Sequence, residues 1–141
     1  MFVVFDLDGT MADIKHRLFT IETKKQDWDS FRALCHQDEP IRQIIQVCQA
    51  MYKAYHYVEI WSGRAEKTRD LTEAWLEAHN VPYHALRLRP DDDDRRDVDV
   101  KEGWLRAEPC SIDLVFDDRK RLVEMWRRNG VRCCQVAEGD Y

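Results

Sequence analysis

The sequence predicts an α/β fold of three layers, a central parallel sheet between two layers of helices. Two observations predict it. Short apolar runs alternate with segments of helical period along the whole chain, the signature of successive strand–helix–strand units. The first run, Phe2–Phe5, reads FVVF with no polar position, as a strand covered on both faces must.

The elements follow in order. Met1 to Asp6 is the first buried strand, broken by Asp8-Gly9-Thr10. Residues 11–38 lack a long period, although Trp28, Phe31 and Leu34 have the spacing of one short helix. Ile41, Ile44, Ile45, Cys48 and Met51 follow i, i+3, i+4, i+7 spacing, and Asp38-Glu39 before Pro40 suits the start of that helix. Tyr57 to Trp61 is a second buried strand, ended by a turn at Ser62-Gly63-Arg64. Glu66 to His79 is a helix capped by Asn80 and stopped before Pro82. Ala85–Leu88 is a strand, 90–94 a loop and Val98–Glu108 a helix stopped by Pro109. Ile112–Phe116 is a strand ending in Asp117-Asp118. Arg119–Arg128 is a helix closed by Asn129-Gly130, and Val131–Val136 is the last strand.

The 141 residues suffice for one domain with one core, residues 1–141, and show no repeat or linker. With 44% hydrophobic and 35% charged residues, neither a disordered nor a membrane-embedded chain is expected. No apolar run approaches the ~20 residues of a bilayer span, and no signal peptide is visible. The net charge of −5 argues against simple basic attraction to nucleic acid, although arginines crowd around Arg17, Arg64, Arg87 and Arg89. Five cysteines without a C-x-x-C suggest neither disulfides nor zinc, but reduced thiols in the cytoplasm. Cys133 and Cys134 should face opposite sides of a strand. The five histidines show no metal-ligand pairing.

Ligands of open parallel sheets bind beyond the carboxyl ends of the strands. Asp6 and Asp8 stand at one such end, Ser62 and Arg64 at another, and Asp117 and Asp118 at a third. Lys101 precedes that third strand on a helix. Converging carboxylates repel one another and need a cation, and an all-oxygen ligand set favours Mg2+. Ser62, Lys101 and the arginines can hold a phosphate. An aspartate beside a metal can attack phosphorus, and a second carboxylate two residues on can hold or protonate the leaving oxygen. Each piece alone has a plainer reading: a loop, a turn, a helix cap or a solvated lysine. Their ordered placement at strand ends points to phosphoryl transfer.

FDLDGT, the serine of WSGR, Lys101 and VFDD resemble the four ordered motifs of haloacid dehalogenase-type phosphatases. The resemblance implies a Rossmann-like, haloacid dehalogenase-like fold with a minimal cap, here a short insertion around 13–38. It implies Asp6 as nucleophile and Asp8 as general acid/base. Thr10, Ser62, Gly63 and Lys101 would bind the transferring phosphate. Asp117 and Asp118 would hold Mg2+ with Asp6 and the backbone carbonyl of Asp8. FDLDGTMAD with Arg17, WSGR, RLRPDDDDRRDVDVKEGWL and VFDDRKRLVEMWRRNGVRCCQVAEGDY are similar to the 3′-phosphatase half of phage polynucleotide kinase-phosphatases. That similarity implies removal of 3′-phosphates from DNA or RNA ends, with Arg17 and Arg64 as substrate arginines. Asp97 would orient Lys101, four residues on along one helix, or else cap that helix. Without a G-x-x-x-x-G-K-[ST] motif, kinase activity is not expected. A separate kinase or ligase of a repair pathway is the expected partner, in the cytoplasm, or the host cytoplasm if phage-encoded. Free nucleotides or another small phosphate ester are the alternative substrate, and a non-catalytic nucleic-acid-end binding module the alternative class. The five tryptophans could stack on a base, but most sit at helix-core spacing and read as packing residues; Trp28, outside the sheet pattern, is the best candidate among them.

Overall fold

The computed structural model describes residues 1–22 and 25–139. Thr23 and Lys24, within the predicted insertion, and Asp140 and Tyr141, the end of the last quoted motif, lie outside them. Five parallel strands form the sheet: β1 (Phe2–Phe5), β4 (Tyr57–Ala65), β5 (Ala85–Arg89), β6 (Leu114–Arg119) and β7 (Cys133–Gly139), in the order β5-β4-β1-β6-β7. The helices α3 (Arg42–Lys53), α4 (Arg69–Ala78), α5 (Asp97–Ala107) and α6 (Lys120–Arg128) connect them.

The all-apolar FVVF run explains why β1 is central. Val3 and Phe5 face one core with Ile45 and Cys48 of α3 and Trp75 and Leu76 of α4. Phe2 and Val4 face the other, with Val98 of α5 and Leu122, Val123 and Trp126 of α6. Alternate side chains of one strand thus feed two cores, which makes the three layers. Each such buried apolar side chain contributes about 1.5–3 kcal/mol. Trp61 is fully buried against Trp126 and Trp104. Cys133 is buried and Cys134 exposed, as alternation requires, and all five cysteines are free thiols.

Residues 12–40 carry an excursion from the sheet. A short antiparallel pair, β2 (Ala12–Asp13) and β3 (Glu39–Pro40), closes its base. Within it lie α1 (Lys15–Leu18), α2 (Trp28–Ala33) and a 3₁₀ turn at Leu34–Gln37. α2 is the short helix expected around Trp28 and Phe31, and Asp27 caps it by accepting from Ser30 N–H at 2.9 Å. α1 has no sequence signal: four residues are too few for a period.

Several boundaries differ from expectation. Asp38-Glu39-Pro40 does not open the helix, because Glu39 and Pro40 pair with β2 and Asp38 turns inward; α3 begins after Ile41. Ser62-Gly63-Arg64 is not a turn that ends the strand. β4 runs on to Ala65, and its pairing with β5 slips between Ser62 and Ala65. β6 likewise runs through Asp117 and Asp118 to Arg119, with a slip against β7. These bulges re-aim side chains at the strand ends while keeping them in the sheet. Glu66–Thr68 is a 3₁₀ turn ahead of α4, and Asn80 ends that helix in the left-handed conformation at φ 54°. β7 begins two residues later and runs three further than expected. No helix among the described residues is long and apolar enough to cross a membrane.

Candidate active site

The chain turns sharply after β1. Gly9, at φ 85°, lets Thr10, Met11 and Ala12 point their N–H groups back at the Leu7 carbonyl. This turn holds Asp6 and Thr10 over the ends of β1 and β6, where Asp6 N–H donates to Phe116 O at 2.9 Å. Asp6, Asp117 and Asp118 converge there, one carboxylate oxygen of each lying within 4.8 Å of the others. All three are buried.

Lys101 of α5 reaches this cluster from below. Its ammonium bonds Asp6 Oδ1 and lies 3.3 Å from Asp117 Oδ2, with no exposed surface. Thr10 Oγ1 sits 3.1 Å from Asp6 Oδ2 and 3.3 Å from Asp118 Oδ1. Trp126 Nε1–H donates to Asp117 Oδ2 at 3.2 Å. Gly139 at the end of β7 packs so closely that a Cβ there would stand 2.0 Å from Asp118 Oδ2. Burial pushes the Asp6 carboxyl well above its ordinary range; Lys101 opposes this, and Asp117 and Asp118 add to it. Burial would lower the Lys101 ammonium, but Asp117 and Asp6 outweigh it and hold Lys101 protonated.

A second cluster lies beside the first. Arg17 of α1 is fully buried and grips Asp38 with two bonds of 2.7 Å, Nε to Oδ1 and Nη2 to Oδ2. Arg64 of β4 donates to Asp38 Oδ2 at 2.7 Å and, through Nε, to Asp8 Oδ1 at 2.8 Å. Arg17 Nη2 also meets Asp8 Oδ1 at 2.9 Å. The Asp38 carbonyl accepts from Trp75 Nε1 at 2.7 Å, and His16 Nε2 stands 2.8 Å from Asp38 Oδ1. Burial alone would raise the Asp8 carboxyl, but Arg64 and Arg17 prevail and hold it well below the ordinary carboxylate range.

Asp38 is the residue sequence reasoning missed. Its type and its place before Glu39-Pro40 suit a helix start, and nothing local marks a buried arginine clamp. Asp97 also departs from expectation. It is the first residue of α5 rather than its cap and makes no direct ion pair with Lys101, although its charge, after those of Asp117 and Asp6, helps hold that ammonium protonated. Its carboxylate bridges Arg89 at 3.4 Å and Arg119 at 3.3 Å. It also lies against Gly63, where a Cβ would stand 2.5 Å from Asp97 Oδ1. Ser62 Oγ is fully buried and accepts from Arg64 N–H at 3.2 Å. The Asp8 carboxylate faces the arginines and is not part of the three-carboxylate cluster.

A cavity of about 600 Å³ opens over these groups. Asp6, Asp8, Arg17, Gly63, Arg64 and Asp97 line it. Thr10, Ser62, Lys101, Asp117 and Asp118 lie behind that lining. Eight of the chain's fifteen arginines border the cavity against six aspartates, so it is locally basic in an acidic protein.

Known proteins place this geometry. Over 98–99% of its length the chain has the fold of the class C acid phosphatase from Bacillus anthracis (18% identity, TM-score 0.70, 66% of that chain covered) and of a haloacid dehalogenase-like hydrolase from Streptococcus pneumoniae (16%, 0.69, 85%). It is more similar to a chain in a Pnkp1/Rnl/Hen1 complex, at 26% identity and TM-score 0.84 over 99% of its residues. It spans only 46% of that chain's length. The family model described as polynucleotide kinase PNKP phosphatase domain matches residues 1–141. With its two-core α/β sheet and its aspartates at the strand ends, the chain belongs to the polynucleotide kinase PNKP phosphatase-domain family.

Proposed function

We propose that this chain is a magnesium-dependent phosphomonoesterase that removes 3′-phosphates from nucleic-acid ends. The observation that carries the proposal is the joining of a buried Asp6–Asp117–Asp118 cluster to a cavity bordered by eight arginines. Three buried oxygen donors with no histidine or cysteine among them suit a hard cation of the Mg2+ type. Asp6, Asp117 and Asp118 would hold it by their side chains and Asp8 by its backbone carbonyl. When bound, the metal neutralises the carboxylates and polarises a phosphoryl oxygen.

The chain's own groups supply the rest. Lys101 orients Asp6 and offers positive charge to the phosphoryl group. Asp6 attacks phosphorus, a new bond forms between its carboxylate oxygen and phosphorus, and the bond to the 3′-oxygen breaks. Asp8 protonates that oxygen and later takes a proton from the water that hydrolyses the aspartyl-phosphate. In the resting site Arg17 and Arg64 hold Asp8 ionised, so a substrate that draws these guanidinium groups onto its own phosphate lets Asp8 take up a proton from solvent, the one it then gives to the 3′-oxygen. Arg17 and Arg64 thereby both bind substrate and set the proton inventory of Asp8. Thr10 holds the Asp6 and Asp118 carboxylates, Ser62 fixes the backbone at Arg64, and both hydroxyls would contact the phosphate. The 12–40 excursion serves as a minimal cap, too short to enclose a bulky end.

A second similar chain, 26% identical, comes from what is described as a Pnkp1/Rnl/Hen1 RNA repair complex. By analogy, we place the present chain in end repair, beside a separate strand-joining or 5′-phosphorylating activity in the cytoplasm.

Asp6→Asn should abolish phosphate release, by about 10³-fold or more, with an unchanged circular dichroism spectrum. Normal turnover by that variant would overturn the nucleophile. The substrate is decided by comparing kcat/KM for a 3′-phosphorylated oligonucleotide and a 3′-mononucleotide. A preference for the mononucleotide would move the function to free nucleotides, and Mg2+-dependent binding without turnover would mark a binding module.

A further inference from the structure

The phosphate-binding groups account for only part of the cavity's lining. α2, the loop at 90–96 and the start of α6 also border it. Among the described residues, Trp28 is the only exposed aromatic that borders it; nearly half of its surface, 44%, is open. The other exposed aromatics, Phe19, Tyr52, Tyr55 and Tyr57, lie elsewhere.

Trp28 is also tied to the site by a chain of contacts. Its indole meets the Phe31 ring edge-on, with centroids 5.7 Å apart and planes at 81°. The Arg17 guanidinium lies over the Phe31 ring at 4.1 Å. Arg17 in turn donates to the Phe31 carbonyl at 3.2 Å and bonds Asp8 at 2.9 Å. The helix that carries Trp28 is thus pinned to the same arginine that holds Asp8, and the indole stands at a set distance from the reaction centre.

We propose that Trp28 is a specificity-determining residue, the platform on which a nucleobase at the substrate's 3′ end stacks while its phosphate meets Asp6. The proposal rests on the nucleic-acid reading above and extends it to a base-binding subsite. The cavity's volume is that of a ligand site and far exceeds a phosphate group. Its arginines include exposed Arg95, Arg96 and Arg121, of which Arg95 and Arg96 pair with Asp93 and Asp99; together they suit the next phosphodiester of a strand rather than a neutral small molecule. An indole face accepts any base, so the subsite recognises a nucleotide end without reading its sequence.

The test is steady-state kinetics with Mg2+ on two 3′-phosphorylated oligonucleotides, one of ordinary sequence and one abasic in its last two nucleotides, with glycerophosphate as a small ester. On the ordinary oligonucleotide Trp28→Ala should raise KM about tenfold with kcat changed less than twofold, and Trp28→Phe should recover most of the loss. On the abasic oligonucleotide the wild-type KM should already be high, and Trp28→Ala should add less than twofold. An unchanged KM for Trp28→Ala, or an equal rise on both oligonucleotides, overturns the stacking subsite and leaves the phosphatase reading standing. Wild-type turnover of glycerophosphate without turnover of either oligonucleotide overturns the nucleic-acid reading and the subsite with it.

Discussion

Two charged clusters lie side by side at the carboxyl end of the sheet, built from the same kinds of residue and buried except for part of Asp8. In the outer one, two carboxylates, Asp8 and Asp38, meet two guanidinium groups, Arg17 and Arg64. In the inner one, three carboxylates, Asp6, Asp117 and Asp118, gather at one lysine. The difference shows in proton affinity. Asp8 is held well below the ordinary carboxylate range, whereas Asp6 is pushed well above it. Buried charges are tolerated where they are matched. The outer cluster is matched within itself and acts as a frame. The inner one, counted over these residues, carries more carboxylate than Lys101 balances, and a divalent cation would complete it.

The sharpest way to test this division is Lys101→Met. It removes the ammonium that Asp6 and Asp117 share and should destabilise the metal-free chain by about 3–5 kcal/mol, read as a lower urea midpoint. Mg2+ should stabilise the variant more than it stabilises the wild type, because the three carboxylates without the ammonium bind a cation more tightly. A variant as stable as the wild type without Mg2+ would remove the charge imbalance. Asp38→Asn comes next. It keeps the shape but withdraws one charge from the frame, at a cost of about 2–3 kcal/mol. It should also slow turnover, since Arg17 and Arg64 lose their common anchor. Here Mg2+ should shift the midpoint by the same amount as in the wild type. If Mg2+ rescues Asp38→Asn as fully as Lys101→Met, the two clusters are one. The smallest effect is expected of Gly63→Ala. Its methyl would press on the Asp97 carboxylate, itself held by Arg89 and Arg119, and should cost about 1–2 kcal/mol of overpacking, seen as a lowered Tm.

The sheet was legible because its strands are uniform. FVVF has one reading as a buried strand, and the i, i+3, i+4 spacing of Ile41, Ile44 and Ile45 has one as a helix. Boundaries were less legible where a single motif serves two geometries. Ser-Gly-Arg ends a strand as readily as it bulges one, and the difference lies in its pairing with β5, outside the motif itself. The charged residues divide in the same way. Asp6, Lys101, Asp117 and Asp118 sit where topology brings strand ends together, so their order along the chain foretold their meeting. Asp38 lies in an excursion with no period, and its partners are 21 and 26 residues away. For Asp97, spacing permitted a pair with Lys101, but Lys101 was already engaged by Asp6 and Asp117, and Arg89 and Arg119 were nearer to hand.

The central position of β1 has a consequence for how the molecule comes to exist. Phe2 pairs with Tyr57 and Val3 with Leu114, so the strand waits for one neighbour 55 residues downstream and another 111 downstream. Both must be synthesised before its two edges are covered. Until then an apolar run with open edges is exposed, the hazard that slows folding of non-local sheets and invites aggregation. The carboxylates of Asp6 and Asp8, immediately after the run, give the waiting segment charge. Charged residues beside an unavoidable apolar strand oppose its aggregation, so the carboxylates that serve the site also suit this guarding place in the sequence.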